Sequence, residues 1–93
     1  MEVIFLPVIS QFYGILIKMY YNDNEKHHRE HIHAQYCEFN GVFDLNGNLI
    51  KGSMPNKQKK LIEAWIEIHN EELRRLWKLT QNEGQYFEIE PLK

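Results

Sequence analysis

The chain has 93 residues, 43% hydrophobic and 26% charged, with a formal net charge of −2 and a pI near 6.2. That suffices for one globular domain but not for a second core, and the charge balance argues against a protein that grips duplex nucleic acid by neutralising many phosphates. Cys37 is the one cysteine, so no intramolecular disulfide is expected and the reducing cytoplasm is the expected location; no stretch approaches the ~20 apolar residues of a membrane span.

Residues 1–7 read as an N-terminal extension or short edge strand, because Pro7 has no N–H to give to a ladder. The apolar run at residues 3–6 lacks a basic flank, so it does not read as a signal peptide. Residues 8–93 read as a single α+β domain. Ser10-Gln11-Phe12-Tyr13-Gly14 leads into a strand at residues 15–21, rich in β-branched and aromatic side chains. Ile15, Ile17 and Met19 share one face of it; Leu16, Lys18 and Tyr20 share the other. Asn22-Asp23-Asn24-Glu25-Lys26 is polar and turn-forming. The next strand starts at His31. Asn40-Gly41 and Asn46-Gly47 then read as type I′ turn dipeptides, whose two central residues need positive φ. Val42-Phe43-Asp44-Leu45 lies between them and Asn48-Leu49-Ile50-Lys51 beyond, for an antiparallel meander of about four strands.

Gly52-Ser53-Met54-Pro55 ends the sheet and Asn56 is a suitable helix N-cap. From Lys57 to about Asn82 there is no proline or glycine, and the apolar residues Leu61, Ile62, Trp65, Ile66, Ile68, Leu73, Leu76 and Trp77 follow the three-and-four spacing of one helix face. One helix of that length would span about 39 Å, long for a small domain. The alternative is a break near His69-Asn70, with Asn70 capping a second helix whose first turn holds Glu71 and Glu72. Gly84 reads as the helix end, and residues 86–90 as a last short strand. The fold expected is a small antiparallel β-meander packed against one long or two short C-terminal helices. A chain this small buries only about two-thirds of its surface on folding, so a partner, another copy included, would add stability.

Four of the five histidines, His27, His28, His31 and His33, lie in one short stretch. Imidazole can act as acid, base, hydrogen-bond donor or metal ligand near neutral pH, so this is where chemistry is expected. On a strand, side chains alternate, so His31, His33 and Gln35 share a face and Ile32, Ala34 and Tyr36 the opposite one. The two histidine α-carbons then stand about 6.6 Å apart, near enough for both rings to meet one ion or one anion. The plain alternative is a pair of imidazoles bonded to nearby carbonyls on an exposed face. Zinc or another divalent metal would need a third ligand, from His28, His27, Glu30 or His69. For metal-free acid–base chemistry the residues are His31, His33, His69 and Lys18, with Lys18 facing the pair if the two strands form a hairpin. Arg29 suits a phosphate or carboxylate as a bidentate fork, against the plain reading of an ion pair with Glu30 or Glu25. The cations that begin with Lys57 read as a solvated helix face. Trp65 and Trp77 read as core or partner-binding anchors. Walker loops, nucleophile elbows, Cys-x-x-Cys pairs and His-Glu-x-x-His segments do not occur.

The residues together resemble a family of short bacterial proteins known as a domain of unknown function. The resemblance lies in Ile9-Ser10-Gln11-Phe12-Tyr13-Gly14-Ile15-Leu16-Ile17, Met19-Tyr20, His31-Ile32-His33-Ala34-Gln35-Tyr36, Trp65-Ile66-Glu67-Ile68-His69, Trp77 and Ile89-Glu90-Pro91-Leu92. It covers residues 8–93. The family usually has proline before the first paired histidine, where this chain has Glu30. The resemblance implies a gene neighbour encoding a second small protein, in a pair that looks like a toxin–antitoxin module with this chain as the toxin. On that footing the expected function is a toxin-like protein with a cognate antitoxin as partner and RNA or a translation component as target. The rival expectations are a metal-binding module built on His31 and His33, and a non-catalytic interaction domain whose tryptophans dock a partner.

Overall fold

A computed structural model describes residues 7–20 and 29–93. Most of the expected N-terminal extension, the 22–26 turn, His27 and His28 lie outside the described residues. Among those described, five strands form one antiparallel sheet in sequence order: β1 (Val8–Phe12), β2 (Ile15–Lys18), β3 (His31–Tyr36), β4 (Phe39–Asp44) and β5 (Leu49–Gly52). Two helices follow, α1 (Asn56–Ile68) and α2 (Asn70–Glu83). The α+β architecture matches the expectation, with one strand more.

The extra strand is β1, expected only as a lead-in. Tyr13 and Gly14 turn the chain back on β2 at φ 48° and 80°, both in the left-handed region that suits the twist of a two-residue hairpin. Asn40-Gly41, expected as a turn, lies inside β4, where Gly41 pairs with Ala34 and Gly52. Its glycine serves packing: a Cβ there would stand 2.9 Å from Leu49 Cδ1 and 3.2 Å from Phe43 Cε1. The β3–β4 turn instead falls at Cys37-Glu38, between the paired Tyr36 and Phe39, with Cys37 at φ 51°. Asn46-Gly47 does lie in a turn, but only Gly47 takes positive φ (91°), so it is not type I′.

Alternation sorts the sheet into two faces. Ile15 and Ile17 of β2, Ile32 and Ala34 of β3 and Phe43 of β4 bury with Ile62, Trp65 and Ile66 of α1 and Leu73 and Leu76 of α2 in one hydrophobic core. Each buried isoleucine, leucine or phenylalanine among them contributes about 1.5–3 kcal/mol by leaving water. The opposite, outer face carries the polar partners of the same strands.

The helical stretch breaks at His69, with φ −106° and ψ 25°, so of the two arrangements left open by the sequence the chain takes the two-helix one. The His69 N–H still donates to the Trp65 carbonyl (3.0 Å) and its carbonyl accepts from Leu73 (2.9 Å), so the axis turns at a single residue. Neither asparagine caps as expected. Pro55 precedes α1 with no side-chain cap and Asn56 is its first helical residue. Asn70 is the first residue of α2 and reaches outward, donating through Nδ2 to the Leu45 carbonyl and accepting at Oδ1 from Arg74 Nε (2.8 Å). Gly84 closes α2 at φ 65°. Arg74 also donates to Glu30 Oε1 (2.9 Å) and Asn46 Oδ1 (3.0 Å), and Gln81 to the Tyr20 carbonyl (2.7 Å). These bonds lace α2 across the end of the sheet where β2 leaves and β3 begins. Residues 86–90 are not a strand; the segment is held by Ile89 N–H on the Ile9 carbonyl (2.7 Å) and Trp65 Nε1–H on the Glu90 carbonyl (2.8 Å).

Candidate functional site

The outer face of β2–β5 opens into a cavity of about 840 Å³. Its floor follows from strand register. Lys18 pairs with His33, His33 with Val42, and Val42 with Lys51, and residues directly opposite on antiparallel strands point to the same side. Lys18, His33, Val42 and Lys51 thus form one row across four strands. Lys51 reaches this face through a bulge: Val42 pairs with Lys51 but Phe43 with Leu49, which leaves Ile50 as the extra residue. Ile50 is 41% exposed and lines the cavity.

His31 and His33 do share a face, and their rings meet edge to face with centroids 5.1 Å apart. Their surroundings differ. His31 is buried, packs on Trp77 (5.1 Å between centroids) and has Nδ1 2.6 Å from the Arg29 carbonyl. A carbonyl only accepts, so Nδ1 carries the proton and Nε2 is the basic nitrogen when the ring is neutral. His33 is half-buried, lines the cavity and stacks flat on Tyr20, centroids 4.0 Å apart and planes 5° apart. Lys18 Nζ donates to Gln35 Oε1 (3.4 Å), which holds the ammonium on the same face.

Among the described residues that line the cavity are three cations, Lys18, Arg29 and Lys51, and no carboxylate. Asp44, opposite His31 in the ladder, closes the end of the face next to α2. Its carboxylate accepts from the Asn46 and Asn48 N–H groups (2.9 Å each) and from Asn48 Nδ2 (3.2 Å). Burial pushes the Asp44 pKa up, but the Asn48 bonds, the Asn46 N–H and the Arg29 charge 3.8 Å away outweigh it and hold it below the usual 3.8. The stability this brings is complete above the unfolded-state value and is lost as pH falls through the lower folded one. Urea midpoints measured from pH about 5 down to about 2 should therefore fall more steeply for the wild type than for Asp44→Asn; parallel curves would show that the carboxylate contributes nothing.

The remaining expected residues lie elsewhere. His69 does not line the cavity: it sits at the α1–α2 junction, bonded through Nδ1 to Glu72 (2.9 Å) and packed on Trp65. Glu30 is committed to Arg74 rather than free as a ligand or base. Trp65 is fully buried, as a core anchor should be. Among the described residues no three of His, Cys, Asp and Glu converge to hold a metal ion, and His28, the expected third ligand, is outside them. No helix is long and apolar enough to cross a membrane among the described residues. Sequence reasoning passed over Lys51 and Ile50, whose placement depends on the bulge.

Neither the curated proteins nor the solved structures contain a match to this chain. The family described as Domain of unknown function (DUF4160) matches residues 14–78, a span holding β2 to β5, α1, most of α2 and all the cavity residues named above, and the chain belongs to that family.

Proposed function

We propose that the chain is the toxin-like member of a bacterial toxin–antitoxin pair and that it cleaves RNA at the outer-face cavity. One observation carries the RNA reading: three cations and two histidines gather around that cavity, without a lining carboxylate among the described residues, on a chain whose net charge is −2. Such a site attracts phosphate, and the same cations repel a divalent metal, which makes metal ligation by His31 and His33 the weaker reading. The pairing with a small antitoxin protein rests on the resemblance in sequence.

In this reading His33 takes the proton of a ribose 2′-hydroxyl, and the 2′-oxygen attacks the adjacent phosphorus. The P–O5′ bond breaks and the proton returns from His33 to the 5′-oxygen, leaving a 2′,3′-cyclic phosphate and a 5′-hydroxyl. Lys18 neutralises charge building on the phosphoryl oxygens. His31, buried between Trp77 and His33, sets the position of the His33 ring.

The test is induced expression with and without the neighbouring short reading frame, together with incubation of purified, chelator-treated protein with single-stranded RNA. Growth should stop on induction and resume on co-expression, and the RNA should acquire cyclic-phosphate ends. Normal growth with intact RNA overturns the reading.

A further inference from the structure

We infer that the RNA lies on the sheet as a single strand running across the β-strands, along the row Lys18, His33, Val42 and Lys51, with a lysine holding a phosphate at each end. This rests on the RNA reading above and adds the path and form of the substrate.

The direction follows from what closes the face. A ligand laid parallel to the β-strands runs, at the His31 end, into the carboxylate of Asp44 and into α2, which is bonded to Glu30, Asn46 and the Tyr20 carbonyl. Across the strands the row is continuous and begins and ends on a cation. With neighbouring strands about 4.8 Å apart, the two lysine α-carbons stand about 14 Å apart, a span suited to several linked nucleotides. His33 is one strand in from Lys18, so a phosphate beside it has neighbours on both sides.

The form follows from the surfaces between the cations. The flat Tyr20–His33 pair lies beside Lys18, and the bulged-out Ile50 beside Lys51. Aromatic and apolar surfaces of this kind hold bases by stacking, which requires bases already out of a helix; a duplex offers only its backbone.

The experiment is fluorescence anisotropy with 2′-O-methyl oligouridine, which lacks the attacking hydroxyl, over a range of salt. Lys18→Ala and Lys51→Ala should each flatten the slope of log affinity against log salt by about 0.7, one phosphate contact apiece, and the double variant by about 1.4. Lys60→Ala, on the exposed side of α1, should leave it unchanged. Lys18→Gln keeps the half-buried aliphatic stem in place should the alanine variant fold poorly. A slope that responds to Lys18 but not to Lys51 overturns the crossing path while leaving RNA binding at His33 intact; duplex RNA bound as tightly as the single strand overturns the same inference. Oligouridine that does not bind at all, or binds with a slope indifferent to both lysines, overturns this path and the RNA reading together.

Discussion

Replacing His33 by alanine is expected to slow RNA cleavage by roughly 10²- to 10⁴-fold, the usual contribution of a positioned general base, while leaving the fold intact. The expectation follows from the contrast between two histidines that the sequence presents as equals. His33 lines the cavity and its ring lies against Tyr20, outside the core. His31 is only 5% exposed, holds the Arg29 carbonyl and packs on Trp77. Removing the His31 ring should therefore appear first as a loss of stability of about 1–3 kcal/mol, because the carbonyl loses its donor and Trp77 its neighbour. Added imidazole separates the roles: it should restore part of the rate to His33→Ala, where a substrate-facing space opens, and none to His31→Ala. A His31→Ala/His33→Ala protein that folds and still cleaves RNA at the wild-type rate would remove both from the chemistry.

How far the sequence reveals this arrangement depends on how local each determinant is. The shared face of His31 and His33 follows from the two-residue period of a strand, which needs no knowledge of neighbours. The kink at His69 is legible only as one of two readings, since a single helix would be long for the domain but the local pattern does not exclude it. The turn at Cys37-Glu38 was not, because its left-handed residue is a cysteine and nothing in the local pattern marks it. Asn40-Gly41 misled for a complementary reason: Gly41 is required by Leu49 and Phe43 across the sheet, not by its own φ. Lys51 is the instructive case. Strict alternation from the inward Leu49 would turn Lys51 inward, and only the bulge at Ile50 returns it to the face shared with His33. The cavity's second cationic edge is therefore set by pairing between strands, which a single sequence does not display.

Truncating Trp65 to alanine should cost about 3–5 kcal/mol, a large share of the ~5–15 kcal/mol that a domain has in total. The indole is fully buried, its ring 5.4 Å from Phe12 of β1 and 5.7 Å from His69 at the helix kink. Its Nε1–H holds the Glu90 carbonyl, next to Ile89, which is bonded to Ile9. One side chain of α1 thus joins the first strand, the α1–α2 junction and the C-terminal segment. At roughly 4–8 °C per kcal/mol for a chain of this size, the thermal midpoint should fall by on the order of 10–40 °C, measured by far-UV circular dichroism. Trp65→Phe keeps part of the ring but loses the N–H and some buried volume, so its cost should be nearer about 1–3 kcal/mol. A midpoint for Trp65→Ala within a few degrees of wild type would mean the core is organised otherwise. Since Trp65 lies on the face of the sheet opposite the cavity, Trp65→Phe assayed well below its midpoint should cleave RNA at the wild-type rate, and a large loss of rate there would mean that the site depends on the core in a way the cavity geometry does not explain.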